Sequence, residues 1–111
     1  MITTHVLDIA KGHPAAEVAV ILEMRQASDW TAIGRGVTDA NGRLASLMDG
    51  RVMTPGTYRL TFDTGTYHRD QGITSPFFPQ ATITFNVRDV SEHYHVPLLL
   101  SPFGYSTYRG S

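Results

Sequence analysis

The chain has 111 residues, the size of a single domain built around one core, so a two-domain enzyme is excluded. Hydrophobic residues make up 41 % and charged residues only 17 %, with a net charge of -1, where a typical soluble domain has about 25 % charged residues. This composition predicts a folded domain whose surface is partly covered by partners, and the scattered arginines predict neither nucleic acid nor a membrane as a partner.

Hydrophobic and polar residues alternate along much of the chain, which is the two-residue period of a strand with one buried face. The clearest case is Tyr58, Leu60 and Phe62, and residues 81–88 repeat it. Turn signals rich in glycine, proline and asparagine separate such segments, which favours an antiparallel sandwich or barrel. In chain order we predict strands over 2–9, 17–26, 30–38, 43–48, 56–63, 81–88, 93–101 and 104–109, and a short helix within 64–71, all in one domain, 1–111.

The first predicted strand carries a histidine, His5, on the same face as Leu7. A polar and an apolar side chain on one face indicate either that another subunit covers this face or that a bulge re-aims the strand. Taken alone, such a histidine is more often structural than catalytic. We expect His13, in a turn, and His68, in the predicted helix, to be solvated surface residues without a function.

Arg43 follows the Asn41-Gly42 turn and begins a predicted strand. Its guanidinium offers a planar fork of donors that suits a carbonyl, a carboxylate or a urate-like ring. The alternative is a surface charge that flanks a hairpin. Arg35, between two glycines, has the same two interpretations.

The strand over 93–101 turns four apolar residues toward the core and places His93 and His95 together on the opposite face. Two adjacent imidazoles can hold one neutral base beside one proton donor. They are otherwise two exposed surface histidines. A metal site is the weaker interpretation, because a catalytic zinc needs about three protein ligands and no third is evident nearby; we expect neither a metal nor a cofactor.

The last residues are aromatic and predict an ordered final strand, which makes the hydroxyl groups of Tyr108 and Ser111 candidate site groups. Motifs for a serine nucleophile, a phosphate-binding loop or a dinucleotide site do not occur. The absence of cysteine excludes disulfides, thiolate nucleophiles and zinc fingers, and fits a reducing compartment. We expect a cytoplasmic protein with no export signal and no membrane span.

Four segments together resemble the 5-hydroxyisourate hydrolase family, the transthyretin-like enzymes of urate breakdown. They are residues 4–8 (THVLD), 36–43 (GVTDANGR), 93–102 (HYHVPLLLSP) and 108–111 (YRGS), and the resemblance extends over essentially the whole chain in length and order. It is loosest over 64–79, which leaves the helix boundaries open.

The resemblance implies a fold, an assembly and an activity. The fold is a transthyretin-like sandwich of two four-stranded antiparallel sheets with one short helix. The assembly is a homotetramer, a dimer of dimers with active sites in clefts between the dimers. The activity is cofactor-free hydrolysis of 5-hydroxyisourate to 2-oxo-4-hydroxy-4-carboxy-5-ureidoimidazoline, a step of purine degradation. The alternatives are a non-catalytic transthyretin-like protein that binds small molecules and a metal-binding His-x-His domain.

The resemblance also implies which residues act. Histidines would transfer protons, the arginine would anchor the substrate and stabilise developing charge, and the tail would line the site. The residues at matching positions are His5, Arg43, His95 and Ser111 as catalytic groups, Tyr108 as a substrate-binding group with His5 and Arg43, and His93 as a supporting group.

Overall fold

Two β-sheets and one short helix make up the computed structural model of the chain, which describes residues 1–111. The elements are β1 (Ile2–Asp8), β2 (His13–Pro14), β3 (Ala19–Gln26), β4 (Asp29–Val37), β5 (Arg43–Leu44), β6 (Gly56–Phe62), α1 (Thr64–Asp70), β7 (Ala81–Val87), β8 (Tyr94–Ser101) and β9 (Gly104–Thr107). The predicted β-sandwich with one short helix is confirmed. None of its helices has the length and apolar character needed to cross a membrane.

One sheet has the strand order β2-β1-β8-β9, with β5 also paired to β1, and the other has the order β4-β3-β6-β7. The expectation of wholly antiparallel sheets is wrong at one pairing, because β1 and β8 run parallel, with Thr3 opposite His95. Parallel neighbours need a long connection between them. Most of the chain separates β1 from β8, so this requirement is met.

The core lies between the two sheets and follows the predicted alternation. Nineteen buried hydrophobic residues form one continuous cluster, so both sheets share a single core. The second sheet contributes Tyr58, Leu60 and Phe62 of β6. The first contributes Tyr94, Val96, Leu98 and Leu100 of β8, which leaves the side chains of His93 and His95 on the outer face.

Two strand predictions differ from the structure. The strand expected over 43–48 is only the two-residue β5, because residues 46–51 form turns in which Asp49 and Arg51 donate backbone hydrogen bonds to Ser46 and Met48. The short β2 was not predicted, and it pairs with the end of β1. The other strands and the helix begin and end within two residues of their predicted bounds.

The helix α1 begins at Thr64 and is capped by Asp63, whose side chain accepts from the backbone N–H of Thr66 over 3.1 Å. Its inner face consists of residues spaced three and four apart, including Tyr67 and His68. His68 is therefore only 2 % exposed, and the expectation of a solvated His68 is wrong. The Tyr67 hydroxyl donates to Asp8 over 2.7 Å, which joins the helix to β1.

Candidate active site

All the predicted site residues except Tyr108 meet on the outer face of the five-stranded sheet, where β1, β5 and β8 lie side by side. The parallel register places Thr3 opposite His95, and the antiparallel register of β1 and β5 places His5 opposite Arg43. A surface pocket of about 300 Å³ opens between them. Its lining consists of Met1, Thr3, Thr4, Arg43, Leu44, Ala45, His93, His95 and Ser111.

His95 is half-buried on the wall of this pocket, and two contacts hold it. Its Nδ1 lies 2.8 Å from the Thr3 hydroxyl, and its carbonyl oxygen accepts from the backbone N–H of Gly110 over 2.8 Å. Burial lowers the pKa of His95, and the positive charge of Arg43 lowers it further, with smaller effects of the same sign from the two other histidines nearby. The ring is therefore neutral near pH 7 and able to accept a proton.

His5 is held by the loop that precedes β5. Its Nε2 lies 2.9 Å from the backbone oxygen of Asn41. A carbonyl oxygen only accepts hydrogen bonds, so Nε2 carries a hydrogen and donates. In the neutral ring, the nitrogen that remains free to accept a proton is Nδ1.

The loop before Arg43 is braced by its own hydrogen bonds. The Asp39 carboxylate accepts from the backbone N–H groups of Asn41 at 2.8 Å and Arg43 at 3.0 Å, and these two bonds lower the pKa of Asp39. Gly42 has a φ of +76°, and a side chain there would collide with the Val6 carbonyl oxygen. The turn therefore needs a glycine to hold Arg43 against β1.

The C-terminal tail passes beside the two histidines. Ser111 lines the pocket, and Gly110 lies against the His95 ring. The Arg109 guanidinium lies 4.6 Å from the centre of the Tyr94 ring and donates to the His93 carbonyl oxygen over 3.4 Å. These contacts attach the tail to β8.

Not every predicted residue reaches this pocket. Arg43, His93, His95 and Ser111 line it, and His5 lies beside it in register with Arg43. Tyr108 is 57 % exposed and lines a different pocket, of about 250 Å³, that also contacts β7.

Three groups that hold the site were not predicted from the sequence: the Thr3 hydroxyl, the Asn41 carbonyl and Gly110. The place of Thr3 in the site could have been predicted, because it is two residues before His5 and therefore lies on the same face of β1. The other two groups act through their backbones, which a residue pattern does not reveal.

The arrangement suits proton transfer to and from a small polar molecule. One neutral imidazole, a second imidazole, a guanidinium and a hydroxyl surround a space of the right size for a single ring, and the guanidinium can meet negative charge that develops on an oxygen. No three or more histidine, aspartate or glutamate side chains are grouped so that they could hold a metal ion.

Residues 2–110 match the family model described as the HIUase/Transthyretin family. The chain is 47 % identical over 110 residues to a probable 5-hydroxyisourate hydrolase of Caenorhabditis elegans, covering 99 % of this chain and 81 % of that protein. It also resembles the structure of Klebsiella pneumoniae 5-hydroxyisourate hydrolase, with a TM-score of 0.86, 37 % identity and coverage of 99 % and 97 %.

A second solved structure is similar to the same degree. Sea bream transthyretin in complex with thyroxine matches with a TM-score of 0.91 and 38 % identity, covering 98 % of this chain and 93 % of that one. The fold alone therefore does not separate a hydrolase from a protein that binds a ligand unchanged, and the distinction must come from the site.

Proposed function

Since the chain belongs to the HIUase/Transthyretin family, we propose that it hydrolyses 5-hydroxyisourate to 2-oxo-4-hydroxy-4-carboxy-5-ureidoimidazoline, a step of urate degradation. The observation that carries this proposal is the half-buried His95 beside Arg43 on the wall of the pocket. A neutral imidazole next to a cation can remove a proton from water. A site that only binds a molecule has no need of such a base.

In the proposed reaction, neutral His95 accepts a proton from water as the water oxygen attacks a carbonyl carbon of the six-membered ring. General base catalysis of this kind contributes roughly 10² to 10⁴ in rate. The tetrahedral intermediate then collapses: the ring C–N bond breaks, the nitrogen takes up a proton and the carbon keeps the new oxygen as a carboxyl group. One water is consumed and no cofactor is needed.

The other site residues have roles that follow from their chemistry. His5, whose Nε2 donates to a carbonyl, has Nδ1 free to accept a hydrogen bond from the water or the substrate, and the His95 ring would pass the proton it took from water to the leaving nitrogen. Arg43 would bind the substrate carbonyls and meet the charge of the intermediate, a kind of contact whose loss typically costs about 3–4 kcal/mol. Ser111 would hold the water or the substrate, and substrate contact by Tyr108 stays a prediction.

The second candidate function is non-catalytic binding of a small molecule, favoured by the similarity to sea bream transthyretin. It requires the same fold and a pocket, but not a neutral histidine. The names of the curated relatives favour hydrolysis.

The proposal includes a homotetramer, a dimer of dimers. Two edge strands, β7 and β9, border the same apolar pocket, which contains Ile83, Phe85 and Tyr108. Edge strands present unpaired backbone groups that can pair with a second chain. Assembly would also cover exposed parts of the surface. Phe103 is 71 % exposed, and the catalytic pocket opens to the surface. The cytoplasmic location expected from the sequence stays a prediction.

The test of function is the loss of 5-hydroxyisourate absorbance after the compound is generated freshly from urate. With the purified protein we expect the absorbance to decay much faster than in buffer, and the decay rate to increase with enzyme concentration. Decay equal to that in buffer, together with tight binding of a urate analogue, would replace the hydrolase by the binding protein.

A further inference from the structure

The Thr3 side chain lies between two imidazole rings, those of His93 and His95. It lies in β1, is only 7 % exposed and lines the catalytic pocket. Its hydroxyl oxygen is 2.7 Å from Nε2 of His93 and 2.8 Å from Nδ1 of His95. One side chain is thus within hydrogen-bond distance of both rings at once.

Counting hydrogens shows what this contact requires. A threonine hydroxyl has one hydrogen, so it can donate to only one of the two ring nitrogens and must accept from the other. If it donates to His95, the neutral His95 ring carries its hydrogen on Nε2. If it accepts from His95, the hydrogen is on Nδ1, and Nε2 has a free lone pair.

We propose that Thr3 is a positioning residue that accepts from Nδ1–H of His95 and donates to Nε2 of His93, which leaves Nε2 of His95 as the atom that takes a proton from water. The inference rests on the proposed function, because hydrolysis needs a lone pair on His95. His93 then serves as the end of the hydrogen-bond chain.

The proposed function favours this direction, because the Thr3 hydroxyl occupies Nδ1 of His95 and Nε2 is the nitrogen left to take a proton from water. The surroundings keep the ring neutral. His93 is exposed at the rim, whereas His95 is half-buried and in the field of Arg43, which disfavours a second hydrogen on its ring. Gly110 lies against the Cδ2 side of the His95 ring and donates to the His95 carbonyl oxygen, so this residue is held at its backbone, beside Cδ2 and at Nδ1. The neighbouring threonine is different in kind: Thr4 donates to the Val96 carbonyl oxygen over 2.6 Å and is buried in the sheet.

The test uses three variants. Thr3→Val removes the hydroxyl and keeps the shape, Thr3→Ser keeps the hydroxyl, and Thr4→Val is a matched control that removes a hydroxyl next in sequence. In protein labelled with ¹⁵N-histidine, long-range ¹H–¹⁵N spectra report which ring nitrogen of His95 carries the hydrogen. Assignment uses His93→Gln, and circular dichroism verifies the fold of each variant.

We expect His95 to carry its hydrogen on Nδ1 in the wild type and in Thr3→Ser, and to shift toward Nε2–H in Thr3→Val, whose kcat falls roughly tenfold with little change in KM. We expect Thr4→Val to leave the His95 spectrum unchanged. A wild-type His95 with its hydrogen on Nε2 overturns the inference whether or not Thr3→Val folds, and so does a Thr3→Val spectrum identical to the wild type. A protein without turnover would remove the proposed function, but the spectra would still decide the role of Thr3.

Discussion

Gly110 lies directly against the imidazole of His95: its backbone N–H donates to the His95 carbonyl oxygen over 2.8 Å, and a Cβ built on it would be 2.5 Å from Cδ2 of the ring. Gly110→Ala therefore forces the tail or the ring to move. We expect kcat/KM to fall at least tenfold, because a small displacement of a positioned base is costly, while the melting temperature changes little. Steady-state assays and thermal unfolding measure both quantities.

Gly104→Ala is the control for that experiment. Gly104 is also in the C-terminal region, but a Cβ there would meet nothing closer than 3.9 Å, the Ser101 hydroxyl. We expect near wild-type turnover from it. If Gly110→Ala is as active as Gly104→Ala, the close packing of the tail on His95 does not matter to the reaction.

Replacing His95 removes the proposed general base. We expect His95→Ala to lower kcat by at least about 10², the contribution of a positioned base, with unchanged circular dichroism and oligomeric state. His13→Ala is the matched control, since His13 is exposed and its ring makes one hydrogen bond, to the Pro14 carbonyl oxygen. Equal turnover in the two variants would contradict the mechanism.

The charge of Arg43 is expected to set the acid limb of the pH profile. Burial and then Arg43 lower the pKa of His95 from its usual value of 6.5, so kcat/KM of the wild type should decline only as the pH falls below that value and protonates the ring. Arg43→Gln removes one cause of the shift, so the acid limb should move to higher pH. Arg43→Lys keeps the charge and should keep the limb in place, although it loses the planar fork and some activity.

A direct titration separates this effect from a general loss of activity. The pKa of His95, followed by NMR through its Cε1 proton, should rise in Arg43→Gln and stay low in Arg43→Lys. An unchanged pKa of His95 in Arg43→Gln would mean that the charge of Arg43 does not contribute to lowering it.

The hydrogen bond between Tyr67 and Asp8 should contribute to stability and not to turnover. Asp8 is 3 % exposed, and Tyr67→Phe leaves one of its carboxylate oxygens without this partner. We expect the free energy of unfolding in urea to fall by about 1–3 kcal/mol. Tyr105→Phe, at an exposed tyrosine whose ring packs on Phe78, should change stability much less. Similar losses of unfolding free energy in both variants would show that the buried hydrogen bond stabilises the fold no more than an exposed tyrosine hydroxyl does.

Sedimentation velocity tests the assembly. A homotetramer has four times the 12.2 kDa mass of one chain, and we expect this species at micromolar concentration. Substituting Tyr108 with Glu at the pocket that borders β7 and β9 should shift the population toward smaller species. A monomer that is fully active would contradict both the tetramer and the placement of sites between dimers.

Local alternation predicted the parts of this fold that depend on one segment at a time. It identified the buried face of β6 and the outward direction of His95 on β8 and of His93 just before that strand. It could not predict the parallel pairing of β1 with β8, because the register of two segments far apart in sequence depends on the packing of the whole sheet. The contact of Thr3 with both histidines follows from that register.

Two further differences have local causes. A helix of seven residues is too short for its periodicity to show which side is buried, so His68 could not be assigned to the inner face from sequence. Residues after Leu44 are apolar enough to predict a strand, but they form turns instead. These turns bring the Leu47 carbonyl oxygen so close to Gly34 that a side chain at position 34 would collide with it. Arg43 and His5 were recognisable as site residues from the resemblance, and their closeness came only with the fold.

The parallel pairing of β1 with β8 has a consequence for protein synthesis. Thr3 and His95 are 92 positions apart, so at about 5–20 residues per second the first strand waits roughly 5–20 s for its neighbour to emerge from the ribosome. During that time the edge of β1 that pairs with β8 has no partner and is exposed to mispairing with other chains, although β2 and β5 on its other side have already been made. The β1 and β8 walls of the candidate pocket are thus made at opposite ends of translation, and a nascent chain interrupted before residue 93 contains neither His93 nor His95.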